Sequence, residues 1–174
     1  MKKFTKLFVG VFCALTLLAT STFAADVVKS TNAPTESWTL TLGGVGSTVT
    51  EGDLGTSAGL NLSVGRTGHL LLPLEAGVRQ GVTYDGDSST LFNTRVYADW
   101  TLFTVKSVDV FAGGNVGLTY GNMTPVWAVA PEVGARWWLK DDVAVLARAE
   151  LPYNLTKGTF NHSVDYLLGF MVKF

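Results

Sequence analysis

From Trp38 to the last residue the chain alternates apolar and polar positions, in runs separated by clusters rich in Gly, Asn, Ser and Thr. A period of two marks a strand with unlike faces, whereas a helix repeats near 3.6 residues. Eight such runs follow one another. Their apolar register holds, run by run, Trp38, Leu40 and Leu42; Ala58, Leu60, Leu62 and Val64; Leu74, Ala76, Val78, Val82 and Tyr84; and Phe92, Val96, Ala98, Trp100 and Leu102. It continues with Val110, Ala112, Val116, Leu118 and Tyr120; Trp127, Val129, Val133, Ala135 and Trp137; Val143, Val145, Ala147, Ala149, Leu151 and Tyr153; and Val164, Tyr166, Leu168, Phe170, Val172 and Phe174. The pattern predicts an all-β fold: a closed, antiparallel, up-and-down barrel of eight strands over residues 37–174. Tight turns are expected at 65–69, 104–107 and 140–142, and longer loops at 43–55, 85–90, 121–125 and 155–163. Pro131 and Pro152 fall inside the sixth and seventh runs, where each removes a ladder donor, so bulges or lost pairing are expected there.

Alternation alone does not say which face points outward. A soluble barrel keeps its apolar face inside, and a membrane barrel presents it to lipid. The bulk of the apolar register exceeds what an eight-strand interior can hold. The alternate register is where glycine collects, at Gly59, Gly65, Gly77, Gly81, Gly113, Gly117, Gly134 and Gly169, and a crowded interior favours small residues. Aromatics are also sorted by height. Trp38, Trp100, Trp137 and Phe174 fall near one rim; Tyr84, Phe92, Tyr120, Trp127, Tyr153 and Tyr166 fall near the other. Two aromatic girdles around an aliphatic band are what the two boundaries of a bilayer select. The predicted barrel is therefore transmembrane, with lipid outside and polar groups within.

The N-terminal segment agrees with an exported protein. Lys2, Lys3 and Lys6 precede an apolar run over residues 7–19, and Thr22 and Ala24 stand at the −3 and −1 positions of a cleavage site after Ala24. The apolar run is too short for a spanning helix. Residues 1–24 are read as a removable signal and 25–36 as a flexible periplasmic lead-in. Cys13 leaves with the signal, so the mature chain is expected to hold together without disulfides. A chain that is 47% hydrophobic, with nothing after Ala24 resembling a spanning helix, fits a barrel whose apolar residues are dispersed along strands. Its mildly acidic balance gives no reason to expect a nucleic-acid partner.

The C-terminus reads Leu167-Leu168-Gly169-Phe170-Met171-Val172-Lys173-Phe174. Here the sequence resembles the bacterial outer-membrane β-barrel families, whose last strand ends in an aromatic residue that serves as an assembly signal. Gly169, Val172 and Phe174 match that pattern, and Leu167 stands where a polar residue is usual. With the eight runs, the chain is similar to the small barrels of the outer-membrane protein A and X type, without a large periplasmic domain. The resemblance implies a bacterial outer-membrane location, insertion by the β-barrel assembly machinery, contact with outer-membrane lipid and lipopolysaccharide, and a monomer.

The inner register carries Glu75, Asp99, Asp109, Glu132, Glu150 and Asp165 beside Arg79, Arg95, Arg136, Arg148 and Lys173. Glu75-Ala-Gly77-Val-Arg79 in the third run recurs as Glu132-Val-Gly134-Ala-Arg136 in the sixth. A buried charge left alone is expensive, so near-balance predicts charges that pair across strands and fill the lumen. A selective pore tends instead to show rings of one sign. His162, with Ser163 beside it and Asp165 beyond, is a candidate for catalysis of the kind seen in outer-membrane enzymes that remodel lipid A. Adjacent residues of an extended segment point opposite ways, so His162 cannot activate Ser163 without a turn. His69 has no metal-ligating neighbours in sequence, and no cofactor or metal is expected. The leading expectation is a non-enzymatic barrel with an envelope or surface-contact role; a narrow porin-like channel and a lipid A-modifying enzyme are the alternatives.

Overall fold

The computed structural model describes residues 36–49, 56–70, 72–85, 89–121, 124–160 and 163–174. The expected signal, residues 25–35 of the lead-in and His162 lie outside the described residues.

Strands form wherever the two-residue period runs. They are β1 (Ser37–Val49), β2 (Thr56–Leu70), β3 (Leu72–Asp85), β4 (Ser89–Val105), β5 (Val108–Gly121), β6 (Val126–Lys140), β7 (Val143–Glu150), β8 (Tyr153–Asn154), β9 (Thr159–Phe160) and β10 (Ser163–Lys173). Every pairing is antiparallel: consecutive strands from β1 to β7 pair with one another, β6 also pairs with β8, β8 with β9 and β7 with β10, and β10 returns to β1. β7 and β8 form the seventh stave and β9 and β10 the eighth, so the sheet is a closed barrel of eight staves. The last residue takes part in closure: the Trp38 amide donates to the Phe174 carbonyl, and the Phe174 amide to that of Trp38, each at 2.9 Å. A closed barrel leaves no unpaired edge, which backbone placed in lipid requires.

The apolar register lies on the outside. Leu60, Leu168 and Phe170 are 65%, 64% and 62% exposed, whereas Arg79 and Glu132 are 1% and 2% exposed. Inside, the polar lining is joined by a small apolar cluster of Phe111, Leu146 and Leu167, with Val45 packed against it.

Several boundaries differ from the sequence expectation. β1 continues through Val49 where a loop was expected from Gly43, because Val45 has an apolar partner inside the barrel. The turn expected at 65–69 is strand, and the β2–β3 pairing continues to Leu70 opposite Leu72. Residues 155–163 are not all loop, since Thr159–Phe160 adds two rungs to β8. Register shifts occur at Thr101/Phe103 and Trp138/Lys140, away from the prolines.

Pro131 keeps its place in the ladder opposite Gly114, and its carbonyl accepts from the Leu151 amide at 3.2 Å. Pro152 does interrupt pairing. In an antiparallel ladder the backbone groups of successive residues point to opposite neighbours. Leu151 bonds toward β6, so residue 152 points toward β10, where proline has no N–H to give. The β7–β10 ladder accordingly stops at Glu150 opposite Asp165.

Candidate functional site: the charged lumen

Adjacent staves place like charges side by side. Arg79 is directly opposite Arg95, Glu75 opposite Asp99, and Glu132 opposite Glu150. Such neighbours repel, and the pairing expected across strands is made mostly between facing walls of the lumen, with Arg148 of β7 and Glu132 of β6 a pair between adjacent strands.

In the layer nearer the loop rim, Arg79 of β3 donates in fork geometry to Glu132 of β6, Nη1 to Oε2 at 3.1 Å and Nη2 to Oε1 at 3.3 Å. Arg95 donates to Glu150 at 2.9 Å, and Arg148 stands 3.5 Å from Glu132. Asn115 ties the acids together, its Nδ2 donating to Glu132 at 2.9 Å and Glu150 at 2.7 Å while its Oδ1 accepts from Arg95 at 3.0 Å. Asp165 sits further out, 3.8 Å from Arg95.

In the layer nearer the turn rim, Arg136 of β6 pairs with Glu75 of β3 at 2.9 Å and lies 3.9 Å from Asp99. Glu75 also accepts from Tyr97 Oη at 2.7 Å and Thr39 Oγ1 at 2.9 Å. The Arg79 and Arg136 guanidinium groups lie over the rings of Tyr97 and Phe111, at 4.5 and 4.3 Å from the centroids. Planar guanidinium groups combine forked pairing with stacking in this way. The repeated Glu-x-Gly-x-Arg segments of β3 and β6 thus satisfy each other reciprocally, because the two strands run in opposite directions on facing walls.

Glycine makes the space. A Cβ on Gly65 would sit 2.5 Å from Tyr97 Oη, 2.8 Å from Thr39 Oγ1 and 2.9 Å from Glu75 Oε1. One on Gly134 would enter the Phe111 ring. The interior is narrow enough that a methyl group competes with the network.

Asp109 and Lys173 belong to a separate group at the turn rim. Asp109 accepts from Trp138 Nε1 and Thr104 Oγ1, both at 2.6 Å, and the Lys173 ammonium lies 4.6 Å from the Trp138 ring centroid. Trp38, Trp100, Trp137, Phe174, Tyr84, Phe92, Trp127 and Tyr166 are exposed on the outer face; Tyr120 and Tyr153 are partly covered there, Tyr120 stacking on Phe92 at 5.8 Å. Gly169 packs against β1 and Val172 faces out. Sequence reading overlooked Gln80, a polar residue on the outer face whose Oε1 accepts from Thr94 Oγ1 at 2.6 Å. Among the described residues no group of His, Asp and Glu side chains is arranged to hold a metal ion.

This small closed barrel has solved counterparts in fold. Neisserial surface protein A aligns over 79% of this chain and 97% of its own, with a TM-score of 0.54 at 15% identity. Ail, the attachment invasion locus protein of Yersinia pestis, aligns over 80% and 99%, with 0.53 at 14%. OprG of Pseudomonas aeruginosa, an outer-membrane protein, aligns over 82% and 97%, with 0.53 at 12%. The chain has the fold of the small outer-membrane β-barrels. No protein-family model and no curated protein matches the sequence. At these identities the likeness is one of fold.

Proposed function

We propose that this protein is an integral barrel of the bacterial outer membrane whose lumen is closed by its own charge pairs, with a role in envelope integrity or surface contact. The observation that carries the reading is the forked Arg79–Glu132 pair, spanning the interior at 3.1 and 3.3 Å with both residues almost fully buried. Arg95, Asn115, Arg148 and Glu150 pack around it in one connected layer. An eight-stave interior has little more room than this layer occupies. The outward apolar face supports residence in lipid, and the two structural counterparts named as a surface protein and an attachment invasion locus protein support surface contact. Export with cleavage after Ala24, delivery by the β-barrel assembly machinery, contact with lipopolysaccharide and a monomeric state belong to the same proposal.

The deciding measurement is single-channel conductance in planar bilayers. The reading expects no conductance steps at moderate voltage; resolved, reproducible openings would replace it with the porin-like alternative. Lipid A modification has less support. Ser163 lines the barrel interior, whereas a hydrolase acting on a lipid headgroup needs its hydroxyl at the lipid boundary. Unchanged lipid A mass spectra on expression are the expected result.

A further inference from the structure

Above the charge layer, on the loop side, the interior opens into a cavity of about 200 Å³. That is room for about six waters at ~30 Å³ each, or for one molecule the size of a sugar ring. Its wall carries the hydroxyls of Ser47, Ser57, Thr83, Thr119 and Ser163 and the amides of Asn61 and Asn93, beside the carboxylates of Glu150 and Asp165. Asn61 stands apart from the rest. It is 3% exposed, and its Oδ1 has no hydrogen-bond partner among the described residues. An acceptor buried without a partner carries a desolvation penalty until a donor reaches it.

Charge decides which chemistry fits. Arg79, Arg95 and Arg148 border the cavity together with Glu150 and Asp165; each arginine is within 3.5 Å of Glu132 or Glu150, and Asp165 lies 3.8 Å from Arg95. The floor therefore presents compensated pairs. A net anion or cation entering would lose its hydration and meet charges of both signs at similar range. A neutral solute with several hydroxyls loses less on desolvation and can give and accept at once.

We propose that this cavity is a binding site for a small neutral polyhydroxylated solute of sugar-ring size, held by the hydroxyls and amides of its wall with the Asn61 side-chain amide among its anchors. The site is independent of whether the barrel conducts. It adds a ligand on the loop side of the charge layer.

The test is saturation-transfer NMR on the refolded protein in micelles of an amine-oxide detergent, which has no sugar headgroup. Methyl glucoside, glycine betaine and acetate serve as probes at equal concentration. Expected is transfer to methyl glucoside alone, weakened about tenfold by Asn61→Leu, the equivalent of losing one such acceptor. Thr83→Phe, which fills the cavity, should abolish it. Heat-modifiable gel migration verifies folding, and if Asn61→Leu does not fold then Thr83→Phe decides. No transfer to methyl glucoside, transfer to betaine or acetate instead, or binding unchanged in the folded variants overturns the proposal.

Discussion

Arg79 and Glu132 meet across the barrel axis although each has a like-charged residue as its neighbour in the sheet. Open, the β3–β4 hairpin would carry Arg79 beside Arg95, and β6–β7 would carry Glu132 beside Glu150. Only closure brings the two sets together. The interior charges thus favour the closed barrel over its separate hairpins.

Breaking this pair should be costly. Arg79→Met leaves Glu132 short of its forked partner, and losing one member of a buried pair costs about 3–5 kcal/mol. Arg66→Met, which removes an exposed pair with Glu36, should change stability by about 0–1 kcal/mol. Urea unfolding in lipid vesicles measures both. Equal effects would mean that the lumen pairs contribute nothing special.

Gly65→Val should destabilise by overpacking, about 1–3 kcal/mol or more, since its side chain would displace Tyr97 from Glu75. Gly68→Ala, with nothing within 4 Å of the added carbon, is the matched control and should fold normally. The same unfolding assay compares them.

On the outer face, Val96 is 58% exposed and lies in a row with Val78 and Val116. Val96→Arg should cost about 2–4 kcal/mol in a bilayer, the usual range for arginine on the lipid face at mid-depth. In a detergent that lets the guanidinium reach water the loss should be smaller. A variant as stable as the parent in vesicles would contradict an outward lipid face.

Removing Phe174 deletes the reciprocal bonds to Trp38 that begin the β10–β1 seam. Cells expressing the truncated chain should accumulate less heat-modifiable barrel in the outer-membrane fraction. Refolding in vitro should be affected less, because the remaining β1–β10 rungs are intact. Equal accumulation of both chains would remove the assembly-signal role from this residue.

Fold and orientation were legible in the residues because both follow from local periodicity. Leu60, Leu62 and Val64 alternate with Asn61, Ser63 and Gly65, and a period of two needs no knowledge of partners. The inner charges and the glycines that make room for them were legible for the same reason. Strand ends were less so: β1 runs to Val49 because Val45 finds Phe111, Leu146 and Leu167, residues distant in sequence. The tertiary structure alone decided which charge meets which. Adjacency in the sheet would have matched Arg79 with Arg95; barrel closure matched it with Glu132, because opposite walls of a narrow barrel lie within the reach of an arginine. The orphaned acceptor of Asn61 is of the same kind, since a missing partner is a property of three-dimensional surroundings and leaves no mark on the order of residues.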